Sequence, residues 1–180
     1  MRLAEKGRRK PPAVKQNREG SLPDMLWLFP DRRFADQEVL EGPAVCERCH
    51  AYLETDHWLY GERRYAELNA QPGIHTMLCP GCTRVERRLY EGEVTVRHHW
   101  NVFDKEMILH LIHNEEARAR TANPTARIAL IEDRGDEMYI LTTTQFLAER
   151  IGKALHKSCH GTLRLSHLPR ERFVRVWWEL

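Results

Sequence analysis

Nowhere does this chain of 180 residues approach the roughly 20 consecutive apolar residues that span a bilayer. Its charged N-terminus is followed by no apolar run of leader type, so neither a membrane span nor a secretory leader is expected, and the cytoplasm is the expected compartment. Cysteine is scarce: there are five, and four of them fall in two C-x-x-C pairs, a usage that argues against a disulfide framework and for metal ligation in a reducing environment. Internal repeats and low-complexity blocks are missing. A phosphate-binding loop is missing too, because Gly152-Lys153 is followed by Ala154 where Ser or Thr is required and the upstream glycine is absent. Nucleotide hydrolysis therefore has no support, and no small-molecule substrate is evident.

A large net charge is also lacking, yet the formal +2 hides a polarised chain. Residues 1–20 carry +5, residues 150–180 carry +5, and residues 21–149 carry −8. Because fields act over about one Debye length, ~8 Å at physiological salt, an anionic partner would meet the ends of the chain rather than its middle. Residues 1–24, with Arg8, Arg9 and Lys10 followed by two prolines, hold too few apolar side chains to offset ordering, and are expected to form a disordered basic arm. From Met25 to Phe34 the sequence turns apolar and aromatic, which predicts packing.

What is present is a constellation of sulfur. Cys46-Glu-Arg-Cys49 and Cys79-Pro-Gly-Cys82 are separated by 29 residues, and four soft thiolates in two such pairs suit tetrahedral Zn2+ with Zn–S distances of ~2.3 Å. Four thiolates leave no open coordination position, so the expected role of a single Zn2+ is structural, in a zinc ribbon over residues 25–100. The alternating run Ile74–Leu78 reads as a strand entering the second knuckle, and Tyr90, Val94 and Val96 as a strand leaving it. Trp58, Tyr60, Tyr65 and Leu68 imply that the long insertion between the knuckles is packed.

Residues 101–180 predict a second, α+β domain. A helix is expected over Asp104 to Ala122 with Met107, Ile108, Leu111 and Ile112 as its apolar stripe, then a hairpin turning at Gly135. A second helix, capped by Thr142 with Gln145, buries Leu147, Ile151, Ala154 and Leu155 and stops at Gly161; a second hairpin covers residues 162–180. The order helix, hairpin, helix, hairpin predicts an antiparallel sheet covered on one face. Glu106, His110 and His113 share a helical face and read as a solvated surface, and Cys159 as a buried thiol.

Three groups of cations are candidate contacts for nucleic acid. Arg84, Arg87 and Arg88 directly follow the second knuckle. Arg150, Lys153 and Lys157 recur along the last helix opposite its buried face, and Arg164 extends that charge onto the final hairpin. Arg8, Arg9 and Lys10 on the basic arm are the third group.

The Cys-Pro-x-Cys text resembles rubredoxin, an iron-thiolate electron carrier, but the glycine that follows each pair in that family is replaced by His50 and Thr83. A wider resemblance covers about half the chain. Residues 79–97, with Cys-Pro-Gly-Cys-Thr-Arg and then Leu-Tyr-Glu-Gly-Glu-Val-Thr-Val-Arg, are similar to the end of a zinc knuckle in the NMD-type export adaptors of the large ribosomal subunit. Thr142–Leu155, Gly161–Ser166 and Phe173–Val176 are similar to the helix and hairpin that come after it there. That resemblance implies a metal role for Cys46, Cys49, Cys79 and Cys82 and no catalytic residue. Family members carry more C-x-x-C pairs and further domains, so it implies a short prokaryotic relative.

The expected function is thus a non-enzymatic, zinc-binding protein that associates with RNA or the ribosome, in assembly, translation control or dormancy. A zinc-ribbon DNA-binding regulator is the alternative, and a rubredoxin-like redox protein the second alternative.

Overall fold

The computed structural model describes residues 42–55, 57–98, 105–168 and 170–180, which form an α+β fold of two mixed sheets and four helices. The basic arm with Arg8, Arg9 and Lys10, and the apolar segment from Met25 to Phe34, lie outside the described residues.

The first sheet is small. β1 (Ala44–Cys46), β2 (Ala51–Glu54) and β3 (His57–Tyr60) form an antiparallel meander, and β4 (His75–Met77) then joins β1 in parallel. Between β3 and β4 lies α1 (Glu62–Asn69), a helix polar on nearly every side, with Leu68 as its one buried residue. Side-chain pairing holds it: Arg63 and Arg64 bond Glu67 at 3.1 Å, Arg64 also bonds Glu54, and the Tyr65 ring stacks on His50 at 4.4 Å. The insertion is thus packed through its aromatic and charged residues.

The parallel register of β1 and β4 brings the two knuckles together. Ala44 lies opposite His75 and Cys46 opposite Met77, so both strands run out at the same end of the sheet and deliver one knuckle each there. After β4 the chain enters α2 (Pro80–Glu86). Pro80 sits in its first turn, where a missing N–H costs nothing, and Cys79 is its N-cap, with the sulfur accepting the Cys82 N–H at 3.5 Å.

The second sheet has the order β6-β7-β5-β9-β8, with β5 (Gly92–Arg97), β6 (Ile128–Asp133), β7 (Glu137–Thr142), β8 (Thr162–Leu168) and β9 (Phe173–Glu179). The helices α3 (Lys105–Ala122) and α4 (Gln145–Cys159) contribute the buried residues that cover one face. The period-2 pattern is visible in register: Val94 pairs with Ile140 and Val176, Val96 with Met138 and Trp178, and all of these are fully buried. Gly152 sits mid-helix in α4 against β9; an added Cβ would lie 2.4 Å from Val176 Cγ1, so this glycine serves helix–sheet contact rather than a phosphate loop.

Three expectations are corrected. The second sheet is mixed rather than antiparallel, because β5 pairs antiparallel with β7 but parallel with β9. The strand carrying Val94 and Val96 therefore does not leave the knuckle as part of a ribbon; it is the central strand of the second sheet. The cause is burial, since two valines on one face need a wide apolar layer, which α3 and α4 provide and the small first sheet does not. The cap of α4 is Thr144, whose hydroxyl accepts the Leu147 N–H at 3.3 Å; Thr142 ends β7 and its hydroxyl donates to the Thr144 carbonyl at 2.9 Å. The hairpin turn at Gly135, with φ +84°, stands as expected, and Met107 is exposed at the start of α3, leaving Ile108 and Ile112 as the fully buried part of its stripe.

Candidate metal centre

The sulfur atoms of Cys46, Cys49, Cys79 and Cys82 all lie within 4.8 Å of one another. A tetrahedral thiolate site with metal–sulfur bonds of ~2.3 Å has S···S separations of about 3.8 Å. The Cys49 and Cys79 sulfurs are 3.4 Å apart, so the cluster already has the dimensions of a ligand cage. Cys46, Cys79 and Cys82 are buried, while Cys49 is partly exposed. Backbone N–H groups are aimed at the sulfurs: Cys79 N–H donates to Cys46 at 3.3 Å, and Cys82 N–H to Cys79. Such N–H···S bonds stabilise thiolate and orient ligands.

Protons are unequally held among the sulfurs. Cys49 is drawn well below the ordinary thiol range, first by Cys46 and then by Cys79 and Cys82, with Arg127 assisting against the opposing effect of burial. Cys82 is pushed up, chiefly by Cys46 and Cys49. The physical content is that one thiolate is readily accommodated and each further ionisation is opposed by charge already present. A cation at the centre removes that opposition, and four sulfurs at this spacing favour its binding.

Arg127, just before β6, is the participant that sequence reasoning missed. Its side chain is enclosed, with the residue 4% exposed, and its Nη2 donates to Cys49 Sγ at 3.2 Å and lies 3.8 Å from Cys79 Sγ. Burial is the largest single influence and opposes its charge, but the hydrogen bond to Cys49 and the charges of Cys49, Cys79 and Cys82 together outweigh it and raise the pKa. The signal in the sequence was slight: an arginine inside the run Ala126-Arg127-Ile128-Ala129, where a solvated cation has no reason to be.

The expected phosphate contacts divide in two. Arg84 is largely buried and ion-paired to Glu91 at 2.5 Å. Arg150 donates to the buried Glu115 at 2.5 Å, and Lys153 to Glu149 at 2.8 Å. Arg87, Arg88, Lys157 and Arg164 are exposed. A groove of about 770 Å³ runs between α3 and α4, bringing Lys153 and Lys157 to the same lining as the exposed Met107 and Phe146. Arg87 and Arg88 follow α2 instead, at the opposite end of that helix from Cys79.

The remaining candidates fall outside the cluster. Glu106, His110 and His113 are exposed, and among the described residues the four cysteines are the one set of metal-ligand side chains brought this close. Cys159 is 2% exposed at the end of α4, its thiol pKa raised by burial. His98 is buried with its ring stacked beside Trp178 at 5.9 Å. Among the described residues no helix is long and apolar enough to cross a membrane.

No protein-family model matches the chain, and neither the curated proteins nor the solved structures give a match. The site therefore speaks through its own chemistry: four convergent sulfurs, donors aimed at them, and a buried cation alongside can hold a metal ion.

Proposed function

We propose that Cys46, Cys49, Cys79 and Cys82 bind one structural Zn2+, that this makes residues 44–86 a zinc-ribbon-like module, and that the protein is a non-enzymatic RNA- or ribosome-associated factor. The observation that carries the metal reading is the convergence of four sulfurs within 4.8 Å, at the end of two parallel strands that the ion would hold together. With all four positions occupied by thiolate, the ion has no coordination site for substrate, and Zn2+ suits this ligand set without redox chemistry.

The RNA reading rests on the excess of cations after residue 150 and on their placement. Lys157 and Arg164 are exposed, Lys153 and Lys157 line the α3–α4 groove, and the exposed Arg87 and Arg88 follow the helix that the second knuckle opens. Rigid elements bearing cations suit a phosphate backbone, since little further freedom is lost on contact. The similarity of residues 79–97 and of the last helix and hairpin to ribosomal export adaptors supports the same direction.

The test is sedimentation of the protein with ribosomes from its native cell across a salt series, with metal analysis of the purified protein. Cosedimentation that weakens steeply as salt rises, together with one zinc per chain, is the expected result. A protein that stays colourless after oxidation in air excludes iron-thiolate, whereas a red one would replace this reading with the redox alternative. Tighter binding to duplex DNA than to structured RNA at one salt concentration would favour the DNA-binding regulator.

A further inference from the structure

We infer that Arg127 is a non-ligating fifth member of the metal centre, a positioning residue that supplies the counter-charge for the metal–thiolate cluster from the second sheet and couples the ion to the docking of that sheet on the first. The inference rests on the metal reading proposed for the four cysteines.

A divalent ion with four thiolates carries a net charge of −2. Enclosing such an anion is costly unless cations or N–H donors face it. Two backbone N–H groups face the sulfurs from within the first sheet's own chain. The full positive charge comes from elsewhere: Arg127 Nη2 lies 3.2 Å from Cys49 Sγ and 3.8 Å from Cys79 Sγ, touching one sulfur of each knuckle.

The guanidinium is held for this task by the second sheet. Arg127 Nη1 donates to the Ala126 carbonyl at 2.9 Å, its backbone N–H donates to Thr143 Oγ1 at 2.7 Å, and its carbonyl accepts the Thr143 N–H at 2.9 Å. The backbone from which it reaches the sulfurs is thus fixed on the second sheet's side. From the opposite side Gly81 lets it in: a Cβ there would stand 2.4 Å from the Pro124 carbonyl oxygen and 3.1 Å from Arg127 Cγ. The second knuckle therefore fits closely against the segment that carries the arginine. Arg120, over the Tyr60 ring at 4.0 Å, is a second bridge from α3 to the first sheet, but it has no sulfur contact among the described residues. That difference separates a role in docking alone from a role at the metal.

The experiment uses the full chain loaded with Zn2+ or Co2+, with affinity measured against a chromophoric chelator and the cobalt-thiolate absorption bands recorded. Arg127→Met is expected to weaken metal binding by roughly 10- to 100-fold and to shift the sulfur-to-cobalt charge-transfer band, and Arg127→Lys to recover part of the affinity. Arg120→Met should lower thermal stability and leave both the affinity and the cobalt spectrum as in the parent. A folded Arg127→Met protein with parental affinity and spectrum would overturn the inference while leaving the metal reading intact; a parent that takes up neither Zn2+ nor Co2+ would end both. Should Arg127→Met not fold, hydrogen exchange of the parent decides: stripping the metal must expose the amides of Arg127 and Thr143, and unchanged protection there refutes the coupling.

Discussion

Around the sulfur cluster, Cys46, Cys79, Cys82 and Ala51 are enclosed, with Cys49, Trp58, Tyr60 and Leu78 half-buried against them, and Ala44, Val45 and Leu68 are the other buried apolar residues of the first sheet and its helix. The second sheet encloses Trp178, Met138, Ile140, Leu147, Ile151 and Leu155 with many smaller neighbours between one sheet face and two helices. Because apolar burial stabilises in proportion to area, at ~25 cal/mol per Å², the second region has much more to set against its chain entropy than the first. The strands of the first sheet, three or four residues each, would be marginal without a cross-link. The lesson of the contrast is that one chain uses two kinds of core, a cluster of sulfurs where strands are short and an apolar layer where helices cover a sheet, with Arg127 in contact with the sulfurs from the second.

The comparison is broken most severely at the sulfurs. Replacing all four cluster cysteines with serine, or stripping the ion with a strong chelator, should cost the first sheet on the order of 10 kcal/mol. Hydrogen exchange should show residues 44–86 unprotected while the amides of β5, β7 and β9 stay slow, apart from a local loss at Arg127 and Thr143. Uniform loss across both sheets would mean that the second core does not stand by itself. The converse experiment is Trp178→Ala, which empties the largest fully buried site of the second sheet and should cost about 3–5 kcal/mol in denaturant unfolding without changing metal stoichiometry.

Smaller changes sharpen the contrast. Gly81→Ala places a methyl group against Pro124 and Arg127 and should destabilise by about 1–3 kcal/mol, with a parallel loss of metal affinity that a second-sheet substitution does not show. Thr144→Ala removes the α4 cap and should cost about 1 kcal/mol, read as a lower Tm with an unchanged cobalt spectrum.

The smallest effect concerns Glu93, on the face of the second sheet opposite the helices, where burial pushes its pKa up while Arg175 and the hydrogen bond from Tyr139 hold it down in part. A carboxyl whose pKa is higher folded than unfolded favours folding most when protonated, and that contribution is lost as pH rises through its folded pKa. Glu93→Gln should therefore raise Tm slightly at neutral pH, and the difference from the parent should vanish on acidification below the carboxylate range. A constant difference across pH would assign the effect to packing.

The sequence already carried the parts of this molecule whose signals are local. Two C-x-x-C pairs need no knowledge of the fold, and the apolar spacing of Ile108 and Ile112, or of Leu147, Ile151 and Leu155, marks helix faces directly. The hairpin at Gly135 is local as well. What was not legible is long-range. Val94 and Val96 announce a strand but cannot name β9 as its parallel neighbour, because pairing depends on which face the helices cover. The helix after Cys79 was hidden because Pro and Gly inside the knuckle read as turn residues, although Pro also suits a first helical turn. Arg127 illustrates the limit best, since its meaning lies in sulfurs far away in the chain.

The parallel pair of β5 and β9 has a bearing on how the protein comes to be made. During synthesis Gly92–Arg97 leaves the ribosome well before Phe173–Glu179, and until the later segment arrives the central strand has one edge without its partner. The sulfur cluster can assemble early, since all four of its cysteines are already out. A nascent chain would thus carry a finished head and an adhesive, half-built body, the interval in which a chaperone is most needed and a slowed ribosome most harmful.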